Sequence, residues 1–147
     1  MRVPALLLIL ALSAGLSGCA LTRHEQPSPE LKRQAGQMLL VGFRGAEPAD
    51  ESGRPLPVLA QIPRLNLGGV ILFDRDAALG TPGRNVTGPE QLRRLTSALD
   101  KAAQDGFLPP LFIAVDQEGG RVQRLKPANG FPDSPAAADL CPAQELF

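Results

Sequence analysis

Apolar residues fall into three short unbroken runs separated by amphipathic and turn-rich stretches. Leu39–Phe43, Gly68–Phe73 and Leu111–Val115 are each of strand length. None shows polar alternation, which suits parallel strands covered on both faces. Between the first two runs, Val58, Leu59, Ile62 and Leu65 recur at helical spacing, and Pro63 weakens any long helix there. Between the second and third, Leu92, Leu95, Leu99, Ala102 and Ala103 share one helical face, while Arg93, Arg94, Ser97, Asp100, Lys101 and Gln104 lie elsewhere. Thr87 and Glu90 have the spacing of a capping box, with Pro89 in the first turn. Gly106 can end this helix, and Pro109-Pro110 prevent its continuation. Another helical stretch, Leu31–Met38, precedes the first run, whereas Gly45–Pro57 and Asp74–Gly88 read as loops rich in Gly, Pro and charge.

Strand alternating with helix predicts an α/β fold with right-handed parallel crossovers, either an open doubly wound sheet or part of a (β/α)8 barrel. In both, functional side chains gather at the C-terminal edge of the strands. Asp116 stands there, directly after the third run, and opens a polar loop, Asp116-Gln117-Glu118-Gly119-Gly120-Arg121. Asp74-Arg75-Asp76 follows the second run in the same way. It reads as a surface ion pair, with lining of the same pocket as the alternative.

The first residues carry an address. Arg2 is followed by an almost unbroken apolar stretch, Val3–Gly15, too short to span a membrane but suited to a secretory signal. Leu16-Ser17-Gly18-Cys19 follows at once and looks like a bacterial lipobox. The expected division is a lipoprotein signal peptide over 1–18, a lipidated Cys19 with an extended tether over 19–30, and a domain over 31–147. Acyl chains on Cys19 would make a membrane the partner of the chain. Ala20 lacks the Asp that retains such proteins at the inner membrane, so the expected place is the cell envelope, at the outer membrane or facing the periplasm. Cys141 is then left without a disulfide partner.

Composition removes several classes. Fifteen basic residues balance fifteen acidic ones, so a nucleic-acid partner is not expected. The absence of Trp and Tyr argues against a flat aromatic binding platform. Two Cys and one His make neither a zinc site nor a disulfide framework, and no metal is expected. Asn85-Val86-Thr87 fits a glycosylation acceptor, but beside a bacterial lipobox it reads as the loop before a helix cap.

Three segments in order, Gly36-Gln37-Met38-Leu39-Leu40-Val41-Gly42-Phe43, Gly68-Gly69-Val70-Ile71-Leu72-Phe73 and Ile113-Ala114-Val115-Asp116-Gln117-Glu118-Gly119-Gly120-Arg121-Val122-Gln123-Arg124-Leu125, resemble the N-terminal barrel domain of glycoside hydrolase family 3, in particular its β-N-acetylglucosaminidase branch. The likeness covers about Leu31–Ala138. It implies the N-terminal portion of a (β/α)8 barrel, with about three parallel strands present, and removal of terminal β-linked N-acetylhexosamine, which many family members take from peptidoglycan fragments. By that resemblance Asp116 accepts hydrogen bonds from sugar hydroxyls, a task suited to an ionised acceptor, and Arg124 touches the sugar with its fork of donors. Gly119 and Gly120 would turn the backbone, with Glu118 and Arg121 supporting the loop and Gln117 and Gln123 doing so secondarily. No cofactor is implied, because this route needs only carboxyl and imidazole groups.

Asp116 and Glu118 also suggest the paired carboxylates of a retaining glycosidase. The family instead takes its nucleophilic Asp and its His proton donor from positions further downstream. A complete barrel needs roughly 250 residues, and the sequence has 147, with His24 as its only histidine and no Lys-His or Pro-Gly-His stretch. The expectation is a truncated chain that carries substrate-binding residues and no catalytic ones, hydrolyses nothing alone and is poorly stable. A tethered sugar-binding module without catalysis is the alternative.

Overall fold

A computed structural model describes residues 26–140. The signal segment, Cys19, His24 and Cys141 lie outside the described residues. In order, the elements are α1 (Pro29–Gln37), β1 (Leu40–Gly42), α2 (Pro57–Leu65), β2 (Gly69–Leu72), β3 (Arg75–Asp76), β4 (Thr81–Pro82), α3 (Pro89–Asp105), β5 (Phe112–Val115), a 3₁₀ turn at Pro127–Asn129, and α4 (Ala137–Leu140).

Helix α1 begins two residues before the hydrophobic spacing indicates. Ser28 Oγ accepts the Leu31 N–H at 3.1 Å, and Pro29 occupies the first turn. There a missing N–H costs nothing and the fixed φ is already helical. The boundary expected at residue 30 therefore falls inside α1, which begins at Pro29. Helix α2 accommodates Pro63 and ends on Asn66 in the left-handed region at φ 54°. The start of α3 departs from the expected capping box, because Gly88 is the N-cap and gives no side-chain cap. Gln91, not Glu90, reaches back, its Oε1 accepting the Thr87 N–H at 2.8 Å and the Thr87 hydroxyl at 3.1 Å. Glu90 pairs with Arg93 instead.

Strands β1, β2 and β5 form one parallel sheet in the order β1-β2-β5, with Leu40 opposite Gly69, Val70 opposite Ile113 and Leu72 opposite Val115. Alternation puts Val70 and Leu72 on one face, where they join Val58 and Ile62 of α2 and Leu95, Leu99 and Ala103 of α3 in the core. Val41 and Ile113 pack against that cluster. Consecutive strands are neighbours, and both crossover helices cover the same face. That is the progression of a barrel wall, whereas a doubly wound sheet places helices on both faces.

The opposite face carries Leu40, Ile71, Phe112 and Ala114. Phe112 is 78% exposed, so the expectation of strands covered on both faces holds for one face only among the described residues. At the N-terminal end of the sheet α1 crosses the end of α2 so closely that a Cβ on Gly36 would lie 2.0 Å from the Leu65 carbonyl oxygen. The segment read as a loop over 74–88 contains the short antiparallel hairpin β3–β4.

Candidate functional site

Because the three strands are parallel, the residues that follow them share one edge: Phe43-Arg44 after β1, Phe73-Asp74 after β2 and Asp116 after β5. The first two strand ends are joined by Asn85, which is fully buried. Its side-chain Oδ1 accepts the Phe73 N–H at 3.0 Å, and its Nδ2 donates to the carbonyls of Phe43 at 3.3 Å and Gly45 at 3.1 Å. Asn85 thus replaces the ladder bonds that cease where the strands diverge, and its burial excludes it as a glycosylation acceptor.

The structure brings Asp116 and Arg124 together. Arg124 Nη2 donates to Asp116 Oδ2 at 3.0 Å, and both side chains retain access to solvent. The arginine is placed by its own backbone. Gln117 Oε1 accepts the N–H groups of Arg124 and Leu125 at 2.9 and 3.0 Å, folding the loop back across the strand end. Arg124 Nε is buried without a hydrogen-bond partner among the described residues.

Asp74 is the residue whose first reading changes. It is only 7% exposed, and its partners are not the local arginine but Lys126, at 2.5 Å from Oδ2, and Arg124, whose Nη1 lies 3.7 Å from Oδ1. It belongs to the pocket rather than to a surface ion pair. With Val86, Thr87, Lys126 and Asn129 it lines a cleft of about 280 Å³. An acid directly after an apolar run is the same signal that marks Asp116; the sequence shows both, but not that they converge on one guanidinium.

Gly119 and Gly120 turn the chain at φ 81° and 56°. At Gly119 no other residue fits, since a Cβ would lie 2.1 Å from the Pro135 carbonyl oxygen. The side chains of Glu118 and Arg121 do not brace this loop: both are exposed, and neither makes a side-chain hydrogen bond or ion pair to a described residue. They border a separate shallow hollow with Ala136–Ala138. The bracing comes from Gln117 and from the buried Gln123, whose Nε2 donates to Asp133 Oδ1 at 3.2 Å and to the Ser134 carbonyl at 2.5 Å.

Two further ties frame the edge. Arg44 Nε donates to Asp76 Oδ2, joining the end of β1 to the β3–β4 hairpin. That hydrogen bond, helped by the Leu79 and Ala78 N–H groups, lowers the Asp76 pKa from the ordinary 3.8 to about 2. Arg84 Nε donates to the Phe43 carbonyl at 2.8 Å, and its guanidinium carbon lies 4.9 Å from the centre of the Phe73 ring.

A family profile described as "Glycosyl hydrolase family 3 N terminal domain" matches residues 31–144. The chain is 43% identical over 102 residues to a "Beta-hexosaminidase" of Alkalilimnicola ehrlichii, covering 69% of this chain and 23% of that protein. It is 38% identical over 101 residues to "Beta-hexosaminidase A" of Pseudoalteromonas piscicida, covering 61% of this chain and 15% of that one. The solved structure of a glycoside hydrolase family 3 beta-N-acetylglucosaminidase from Paenibacillus sp. str. FPU-7 superposes with a TM-score of 0.58 at 33% identity, covering 75% of this chain and 18% of that one. The chain thus spans about a quarter or less of the length of each of these relatives.

Proposed function

The chain belongs to glycosyl hydrolase family 3 through its N-terminal domain, and from that membership we propose that it is the sugar-gripping section of a β-N-acetylhexosaminidase. One observation carries the reading: the Asp116–Arg124 pair, at the C-terminal edge of a parallel sheet and open to solvent beside a cleft. Asp116 offers anionic oxygens to hydroxyl donors, and Arg124 offers N–H groups to sugar oxygens, so the pair matches a ligand that is donor and acceptor at once. The relatives named beta-hexosaminidase support N-acetylhexosamine as that ligand.

The described site supplies no nucleophile and acid for hydrolysis. Asp116 is engaged by Arg124, and Glu118 borders the separate hollow, so the two do not act as the carboxylate pair of a retaining enzyme. Titrating N-acetylglucosamine into the purified full chain tests the reading. Saturable binding is expected, weakened about tenfold in Asp116→Asn, as loss of a charge-assisted hydrogen bond predicts. Equal behaviour of the two proteins refutes it. Lipid anchoring through Cys19 in a bacterial envelope is part of the same proposal and rests on the Leu16-Ser17-Gly18-Cys19 stretch. Cys19→Ala is expected to move the chain from the membrane to the soluble fraction, and an unchanged distribution counts against the anchor.

A further inference from the structure

We propose that Asp74 is a positioning residue for Arg124: its buried carboxylate attracts the guanidinium from the side opposite Asp116 and limits Arg124 to the Oδ2 of Asp116, leaving Asp116 Oδ1 to take sugar hydroxyls. This rests on the reading of Asp116 and Arg124 as the saccharide contacts.

The guanidinium is bracketed by two carboxylates of unequal access. Asp116 takes Nη2 at 3.0 Å and faces solvent; Asp74 lies 3.7 Å from Nη1 and is almost fully buried. A sugar reaching the edge competes with Arg124 for the lone pairs of Asp116. It has far less access to those of Asp74, so that attraction persists while the pocket fills. Low solvent access also strengthens it.

Asp74 is itself held from two sides. Lys126 Nζ, 2.5 Å from Oδ2, leaves Oδ1 as the oxygen facing Arg124, and the Asp74 carbonyl accepts the Gly83 N–H at 2.7 Å, pinning the backbone to the hairpin. Two carboxylates and two cations then balance. Removing the Asp74 charge leaves Asp116 as the one carboxylate that attracts Arg124. Arg124, already on Oδ2, then closes on both oxygens of Asp116, and the acceptor meant for sugar is occupied.

The test compares wild type, Asp74→Asn, Asp74→Glu and Asp116→Asn of the full chain in three measurements. These are N-acetylglucosamine affinity, thermal unfolding, and the NMR resonance of the Arg124 Nε–H with its solvent exchange rate. Asp74→Asn is expected to weaken sugar binding about tenfold, the scale of one hydrogen bond to a charged group. It is also expected to shift the Arg124 resonance and leave the unfolding temperature near wild type, and Asp74→Glu should restore most of the affinity. Unchanged affinity in Asp74→Asn overturns the proposal. So does a loss that tracks a fall in unfolding temperature and is not rescued by Glu, since that marks a role in folding only. If wild type binds no sugar, the functional reading fails, but the resonance still decides: an unaltered Arg124 signal in Asp74→Asn shows that Asp74 does not hold it.

Discussion

At the scale of single residues, the site depends on a few positions with no room for alternatives. Gly119 combines a positive φ with a backbone oxygen at 2.1 Å from any Cβ, so Gly119→Ala must displace the Pro135 strand of the loop. A loss of about 1–3 kcal/mol in urea unfolding is expected, the range for overpacked sites, together with a weakened sugar response. Asp76 gives a prediction in pH. Its folded value of about 2 lies below the ordinary 3.8, so ionisation favours the fold. The stabilisation is complete above the higher value and is lost as pH falls through the lower. Wild type is therefore expected to exceed Asp76→Asn in stability at pH 6, and the two should converge near pH 2; a gap independent of pH would refute this. Asp116 and Gly119 are legible in the chain because each follows a strand at a fixed offset. The Asp74–Lys126 pair spans 52 positions, and no local pattern encodes which of several loop charges will meet.

At the scale of elements, hydrophobic spacing is enough to locate the strands and the long helix α3, because burying a face requires apolar residues at the period of the element. Leu99 has no exposed surface and belongs to the core cluster that includes residues of α2 and the sheet. Leu99→Ala is expected to cost about 2–5 kcal/mol in urea unfolding, whereas the exposed Leu79 should tolerate the same change. Helix ends are less legible. Thr87 and Glu90 fit the capping rule, yet Gln91 takes the role, since its amide also reaches the Ala46 and Asn85 carbonyls inside the fold. A tertiary demand for two buried acceptors outweighs a local preference. Ser28 with Pro29 shows the converse, where local signals alone set the start of α1.

At the scale of the whole molecule, the sheet has one face packed by helices and one that displays Leu40 and Phe112. The chain alone is expected to release chromophore from an N-acetyl-β-glucosaminide no faster than buffer, because among the described residues Asp116 is engaged by Arg124 and Glu118 borders a separate hollow; turnover clearly above background would refute that. The sequence by itself determined the α/β alternation, the three strands, the turn after the third and the identity of the acid at its end. These follow from local periodicity and backbone conformation, which neighbouring residues dictate. Only the tertiary structure decided which strand face is covered, that Gln117 and Gln123 brace the loop where Glu118 and Arg121 do not, and that Asp74 shares Arg124 with Asp116. Such choices depend on distances between segments far apart along the chain, and those distances exist only once the sheet has assembled.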